Sequence, residues 1–443
     1  MGNPLALRDP VIDESELLHE RALEIIPAVT QTLAKGPGQH VRGVSPKYLQ
    51  RGKGARVWDV DGNEYVDWCM GIGPIVLGYA DPAVDEAIRR QLDDGITFSL
   101  MHPLEVEVAE RIRELVPNAE SVRFSKTGAD ATSAAVRLAR AFSGRDRVLC
   151  CGYHGWHDWY ISTTDRRRGI PGPIADLTST IPYNDTEALA RSLGPDTACV
   201  ILEPVVFEPP QPGYLAEVQS LCRQNGTLLI FDEMWTGFRL ALGGAQEFFG
   251  VSPDLATYSK AIANGMPLSV LTGRRDVMSL LEREVFFFTT FGGEALSLAA
   301  ALACMRSLED LDVPTHLASI GKKVKDGYNR IAESLGISGW TRCLGMDCRT
   351  IVTFDASAGD PLLLRSFVQQ ELVRRGHLWS GTHTVSFSHG DAEADQLLAA
   401  YREILPELKS AAEKGEVRRR LQGEPVEPVF RRTAHFDTKP CRT

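Results

Sequence analysis

Two rhythms of apolar positions alternate along this chain. From about residue 78 onward, stretches with apolar residues three and four apart alternate with short continuous apolar runs. Residues 82–92, 103–115 and 129–142 carry the helical spacing, the last with apolar positions at 131, 134, 135, 138, 139 and 142. Residues 121–125, 147–151, 198–203, 228–232 and 269–273 read as strands, with a helix at about 215–224 before the run that begins at Leu228. Strands separated by helical patterns predict βαβ units and a mostly parallel sheet covered by helices. A long apolar helix at 295–308 leads out of this region.

The flanks read differently. Residues 15–26 predict a short amphipathic helix, with Ser15 in the cap position and Pro27 as its stop. Residues 57–68 alternate around Asp61-Gly62-Asn63, the pattern of a β-hairpin. Beyond the apolar helix, 320–335, 361–375 and 392–408 predict helices around a strand at 350–354, which makes a smaller α+β unit. The expected organisation is an N-terminal arm at 1–75 belonging to the small domain, a large domain at 76–315, a C-terminal small domain at 316–422 and a charged, Pro-rich tail at 423–443. No internal repeat is evident.

Composition narrows the class. With 443 residues, 43% hydrophobic and 24% charged, the chain is an ordinary globular one, long enough for two domains. A net charge of −10, with only short basic patches such as Arg166 to Arg168 and Arg418 to Arg420, argues against nucleic acid as the main partner. No stretch approaches the ~18 to 20 apolar residues of a membrane span. The nine cysteines form no C-x-x-C pair and no Cys/His cluster at zinc spacing, so no metal is expected and a reducing cytoplasm is.

The candidate chemistry lies where apolar runs end. Residues 227–231 stop abruptly at Asp232 and Glu233, and residues 253–260 end in Lys260 before a glycine turn. Ligands of parallel sheets gather at the strands' carboxyl ends. A lysine amine can form an imine with an aldehyde cofactor, and a carboxylate can hold that cofactor's pyridine nitrogen protonated. The pair suits pyridoxal phosphate. Taken singly, such an Asp is more often a turn or cap residue and such a Lys is solvated.

Further strand ends supply the rest. Thr127-Gly128-Ala129-Asp130 opens the helix after the 121–125 strand, where backbone amides and a hydroxyl suit a phosphate. Gly152-Tyr153-His154-Gly155-Trp156-His157-Asp158 follows the next strand; its aromatic suits stacking on a planar ring, and its two histidines lack the helical face of a metal pair. Glu203 ends a third strand. Met234, two residues past Asp232, would place an apolar side chain on the ring face.

Together with Trp58 to Tyr65, Val136 to Arg140, Asp232 to Arg239 and Thr289-Thr290-Phe291-Gly292-Gly293, these motifs resemble the class III pyridoxal-phosphate aminotransferases of fold type I. Within them the chain is most similar to the glutamate-1-semialdehyde 2,1-aminomutase branch, over roughly residues 15–410. The resemblance implies an α/β large domain with a smaller α+β domain, and a homodimer with shared sites. It implies that Lys260 forms the imine and then shuttles the proton, that Asp232 pairs with the pyridine nitrogen, and that Tyr153 and Met234 sandwich the ring. Thr127 and the amides of Gly128 and Ala129 would hold the phosphate, with Thr290 reaching it from the partner subunit.

Departures from the family pattern point to the substrate. Where the aminomutases read a carboxylate with arginine, a gapless match puts Lys35, with Arg42 nearby. Lysine is a point charge rather than a bidentate fork. Glu294 replaces the family's asparagine after the phosphate threonine, and Trp235 stands where Met or Gln is usual. The expected function is amino transfer between an amine or amino acid and a carbonyl compound, or within one molecule, on a sugar-like or specialised substrate rather than glutamate semialdehyde. A racemase or epimerase would use the same Lys260 and Asp232; a cofactor-binding module without turnover is the rival of another class. No G-x-G-x-x-G follows a strand, which disfavours a nicotinamide enzyme.

Overall fold

The computed structural model describes residues 7–428, and the chain divides into two compact units. Of these, residues 7–81 and 315–428 make the smaller one, and residues 82–314 the larger. The smaller unit begins with a helix, Asp13–Ile25, and a three-strand meander of β1 (Leu49–Lys53), β2 (Arg56–Asp59) and β3 (Glu64–Asp67). Ser15 is not the cap of that helix. It is buried in the first turn, its hydroxyl accepts from Lys47 N–H at 2.8 Å, and the N–H groups of Glu14 and Ser15 donate to the Asp61 carboxylate in the hairpin turn. A cap supplied from 46 residues away leaves no local signature.

The larger unit is built on one seven-stranded sheet. Its strands are β4 (Ser121–Ser125), β5 (Arg147–Cys151), β6 (Thr178–Thr180), β7 (Thr197–Leu202), β8 (Leu228–Asp232), β9 (Leu255–Tyr258) and β10 (Ser269–Gly273), in the spatial order β4-β10-β9-β8-β7-β5-β6. Neighbours from β9 through β8, β7 and β5 to β6 are parallel, and every residue of β7 and β8 is buried, as helices on both faces require. The expected mostly parallel α/β sheet is found.

β10 runs against both its neighbours. Only ten residues separate it from β9, fewer than the dozen or more that a parallel crossover needs, so the chain turns back on itself. The Gly128–Ser143 helix buries Ala131, Ala135, Leu138 and Ala139 against this sheet, and the Ala295–Asp310 helix closes the unit.

The carboxyl-terminal part of the smaller unit adds β11 (Thr341–Met346), β12 (Arg349–Phe354), β13 (His377–Leu378) and β14 (Thr382–Thr384). β13 joins β3 in parallel, while β11, β12 and β14 form an antiparallel sheet under the Pro361–Val373 and Asp391–Glu413 helices. β1, β6, β11, β13 and β14 lie outside the expected strands, being short, polar or half-exposed. The first residues of the expected tail are held: Glu424 bridges to Arg42, and Val426 packs with Val41, Val44 and Leu421. Residues 429–443 lie outside the described residues.

Candidate active site

The site grows from the carboxyl ends of β4, β5, β7, β8 and β9. After β4, Thr127 caps the Gly128–Ser143 helix in a capping box: the Asp130 N–H donates to the Thr127 hydroxyl at 3.3 Å and the Thr127 N–H to the Asp130 carboxylate at 2.9 Å. Ser125 donates its hydroxyl to the same carboxylate oxygen at 3.0 Å. These bonds fix the turn so that the helix N-terminus, with its positive end and free amides, opens at Gly128 and Ala129. Gly128 also makes room for Met234: a Cβ there would come within 2.7 Å of the Met234 sulfur.

After β5 the chain turns through Gly152 (φ +109°) and Gly155 (φ +101°), conformations that L side chains rarely adopt. A Cβ would strike the Glu203 carboxylate at Gly152 (2.7 Å) and the Ala129 side chain at Gly155 (2.7 Å), so the loop lies directly on the turn that opens the Gly128–Ser143 helix. Between the glycines, Tyr153 is 46% exposed while its N–H donates to Glu203 at 2.7 Å.

His154 points the other way, into the unit. Its Nδ1–H donates to the Asp232 carboxylate at 2.7 Å, with both side chains almost wholly buried. The second Asp232 oxygen accepts from the Met234 N–H at 3.1 Å. The histidine ring is wedged beside Trp159 and Tyr160, and its Nε2 has no hydrogen-bond partner among the described residues.

Glu233, next to Asp232, is a different group. It is fully buried, accepts from the Thr236 hydroxyl and the Ala245 and Gln246 N–H groups, and is pushed up to about 7 by desolvation against those bonds. It holds the following loop in place. Trp235 is buried too, its indole N–H donating to the Val205 carbonyl at 3.0 Å.

Lys260 stands half-buried just past β9, at φ +47°, a left-handed conformation costing a non-glycine residue roughly 1–2 kcal/mol. Such strain persists where the surroundings over-determine it, often at functional sites. Its charge reaches Glu203. Burial and the Asp232 charge push the Glu203 carboxyl upward, while the Tyr153 amide, His154 and Lys260 pull it back.

The structure thus gathers Thr127, Gly128, Ala129, Tyr153, Met234, Asp232 and Lys260 on one edge of the larger unit. Thr290 is exposed on the same unit, in the turn before the Ala295–Asp310 helix. Glu294 caps that helix, accepting from the Leu296 and Ser297 N–H groups, and pairs with Lys126 at 2.6 Å. Lys35 and Arg42 belong to the smaller unit, where Lys35 is exposed and Arg42 pairs with Glu427 at 3.2 Å. Sequence reasoning passed over Lys126 and gave His154 no role toward Asp232; no local signal marks a partner 78 residues away. No cluster of His, Cys, Asp and Glu fit for a metal occurs among the described residues.

A buried carboxylate, a strained lysine, a half-exposed aromatic and an open helix N-terminus are the groups that pyridoxal phosphate requires, and their fold is that of the pyridoxal-phosphate transferases. Residues 40–350 match the model of the family Aminotransferase class-III, and the chain belongs to that family. It is 34% identical over 405 residues to the 3-aminobutyryl-CoA aminotransferase of Cloacimonas acidaminovorans (strain Evry), covering 88% of this chain and 96% of the relative. Over 340 residues it is 37% identical to the glutamate-1-semialdehyde 2,1-aminomutase of Archaeoglobus fulgidus, covering 73% of this chain and 80% of that protein.

Among solved structures, the FumI protein of Sphingopyxis sp. MTA144, determined in its PLP internal aldimine form, superposes with a TM-score of 0.83 at 25% identity, covering 93% of this chain and 98% of that one. The chain is an enzyme of the fold type I class, its cofactor is pyridoxal 5′-phosphate, and its activity is that of an aminotransferase or aminomutase. The resemblance read from the motifs is borne out.

Proposed function

We propose that this enzyme moves an amino group between two molecules, with Lys260 and Asp232 as its catalytic residues. The buried hydrogen bond between His154 and Asp232 at the end of β8 supports the residue roles: it orients a carboxylate of the kind a protonated pyridine nitrogen would need as its partner. Bound at this edge, pyridoxal phosphate supplies an electron-withdrawing ring that stabilises negative charge on the substrate carbon. Lys260 Nζ would hold the cofactor and, as a free amine, would take the proton from that carbon. Tyr153 and Met234 would flank the ring, and Thr127 with the Gly128 and Ala129 amides would receive the phosphate.

The substrate is a sugar-like or specialised amino compound rather than glutamate semialdehyde. In support, Lys35 offers no bidentate fork, Arg42 is engaged with Glu427, and Glu294 is turned onto Lys126. The identity to an aminomutase favours the rival, transfer within one molecule. Turnover of amino sugars against glutamate-1-semialdehyde, with the cofactor's amine form quantified after a single pass, separates them. Preferential use of the semialdehyde without release of a carbonyl product would sink the proposal. The reading further holds that the enzyme is a cytoplasmic homodimer with Thr290 lent to the partner. Thr290 is exposed beside Phe286, Phe288 and Phe291, themselves 72%, 56% and 58% exposed, and the eight cysteines among the described residues are free thiols. Light scattering would test the dimer.

A further inference from the structure

Lys126 lies between the last residue of β4 and the helix cap Thr127, one residue from the proposed phosphate turn. Its ammonium is little exposed (17% for the side chain) and meets the Glu294 carboxylate, 11% exposed, at 2.6 Å. That carboxylate also caps the Ala295–Asp310 helix through Leu296 and Ser297. The loop leading to Glu294 is pressed on the same corner. A Cβ at Gly292 would come within 3.0 Å of the Phe124 carbonyl, and one at Gly293 within 2.5 Å of the Glu105 carboxylate, which itself accepts from the His102 N–H at the next helix start. Two helix N-termini and the end of β4 are therefore tied at one point by one ion pair.

We propose that Lys126 and Glu294 form a clamp that positions the phosphate turn, so that the pair acts on the cofactor's phosphate without touching the reacting atoms. The clamp rests on the reading of Thr127, Gly128 and Ala129 as the phosphate site. Burial makes the pair directional: two ions removed from water hold one geometry, because breaking that geometry leaves each without a partner. Burial pushes the Glu294 carboxyl up, and the Lys126 and Ser297 hydrogen bonds outweigh it, holding the group below its usual carboxyl range. With the ammonium committed to Glu294, the turn stays open for an anion delivered by the cofactor.

The test compares pyridoxal phosphate with pyridoxal, which lacks the phosphate, as ligands of the apo full-length protein. It also records how far inorganic phosphate raises the apo protein's thermal midpoint. Lys126→Met breaks the pair from one side. Glu294→Asp breaks it from the other by shortening the reach, while keeping a good cap residue and so the fold. Lys126→Arg restores it.

The expected result is a roughly tenfold weaker pyridoxal phosphate affinity in both breaking variants, within the range typical of linked sites, with pyridoxal affinity unchanged and the arginine variant near wild type. The stabilisation by inorganic phosphate should shrink in parallel. If the wild type does not distinguish the two vitamers and ignores phosphate, the phosphate-site reading fails and the clamp with it. If the wild type distinguishes them but the breaking variants match it, or lose both ligands equally, the phosphate site stands and the clamp is wrong.

Discussion

Buried histidines in the two units keep different company. In the larger unit His154 Nδ1–H donates to a carboxylate, Asp232, and leaves Nε2 without a partner among the described residues. In the smaller unit the partners are neutral. His377 Nδ1 accepts from the Trp68 indole N–H at 3.3 Å, His383 sits between the Thr350 and Tyr401 hydroxyls at 2.8 Å each, and His389 accepts from the Ser386 N–H while stacking on Trp68 at 4.4 Å. Burial pushes His377, His383 and His389 down to about 4, 3 and 3. Burial is common to all four, so it does not separate a working histidine from a packed one. The charge of the partner does: a neutral ring between hydroxyls and indoles holds a core together, whereas a ring bonded to a carboxylate orients an acid for something else to use.

The comparison can be pressed hardest at the acid's end. Lys260→Ala should lower turnover about a thousandfold, the scale of losing a positioned general base, while thermal stability changes little. Mass spectrometry after borohydride reduction checks it independently of substrate: cofactor should remain attached to the wild type and be absent from the variant. Next in size, His154→Phe should reduce turnover about 10- to 100-fold, as loss of a residue that orients a reactive partner does, in a folded protein. His383→Phe should instead lower the melting temperature and leave the specific activity of the folded fraction near wild type. If both variants lose stability alone, the distinction between the units collapses.

Acidity probes the same contrast at a few kcal/mol. Because His377, His383 and His389 titrate below the ordinary 6.5 when folded, the unfolded chain takes up protons first. Their contribution is whole above about 6.5 and drains away as the pH falls toward about 4 and 3. Glu233, raised to about 7, runs oppositely, its contribution present below the ordinary 4.5 and lost as the pH rises through 7; Asp67, raised by burial in the smaller unit, has the same sign. Thermal midpoints across pH should peak in mildly acidic solution, and Glu233→Gln should flatten the neutral side alone. The smallest effect is Thr350→Val, which removes one hydroxyl partner of His383 and should cost about 1–3 kcal/mol in urea unfolding with no change in KM.

Much of the larger unit was legible because its signals are local. β7 and β8 are continuous apolar runs, and a sheet covered on both faces accepts little else. Asp232, Lys260, Tyr153 and Thr127 were legible as candidates because each stands at, or two residues past, the carboxyl end of a strand. Smaller-unit strands such as β13, two residues long, and β14, three, carry too few positions for any period to show. Glu294 and Trp235, expected near the substrate from their departure from the family pattern, turned out to have partners of their own in Lys126 and the Val205 carbonyl.

By itself the sequence determined which segments could be buried strands, which residues stand at their ends, and the family whose chemistry those residues share. Periodicity and motif spacing are properties of neighbours along the chain, and a buried apolar run permits few structures. Only the tertiary structure decided that β10 runs backwards, that Asp232 is gripped by a histidine 78 residues away, and that Lys126 meets an acid 168 residues on. Those pairings depend on strand order and on which loops share a sheet edge, and water is excluded from them only once the whole sheet has assembled.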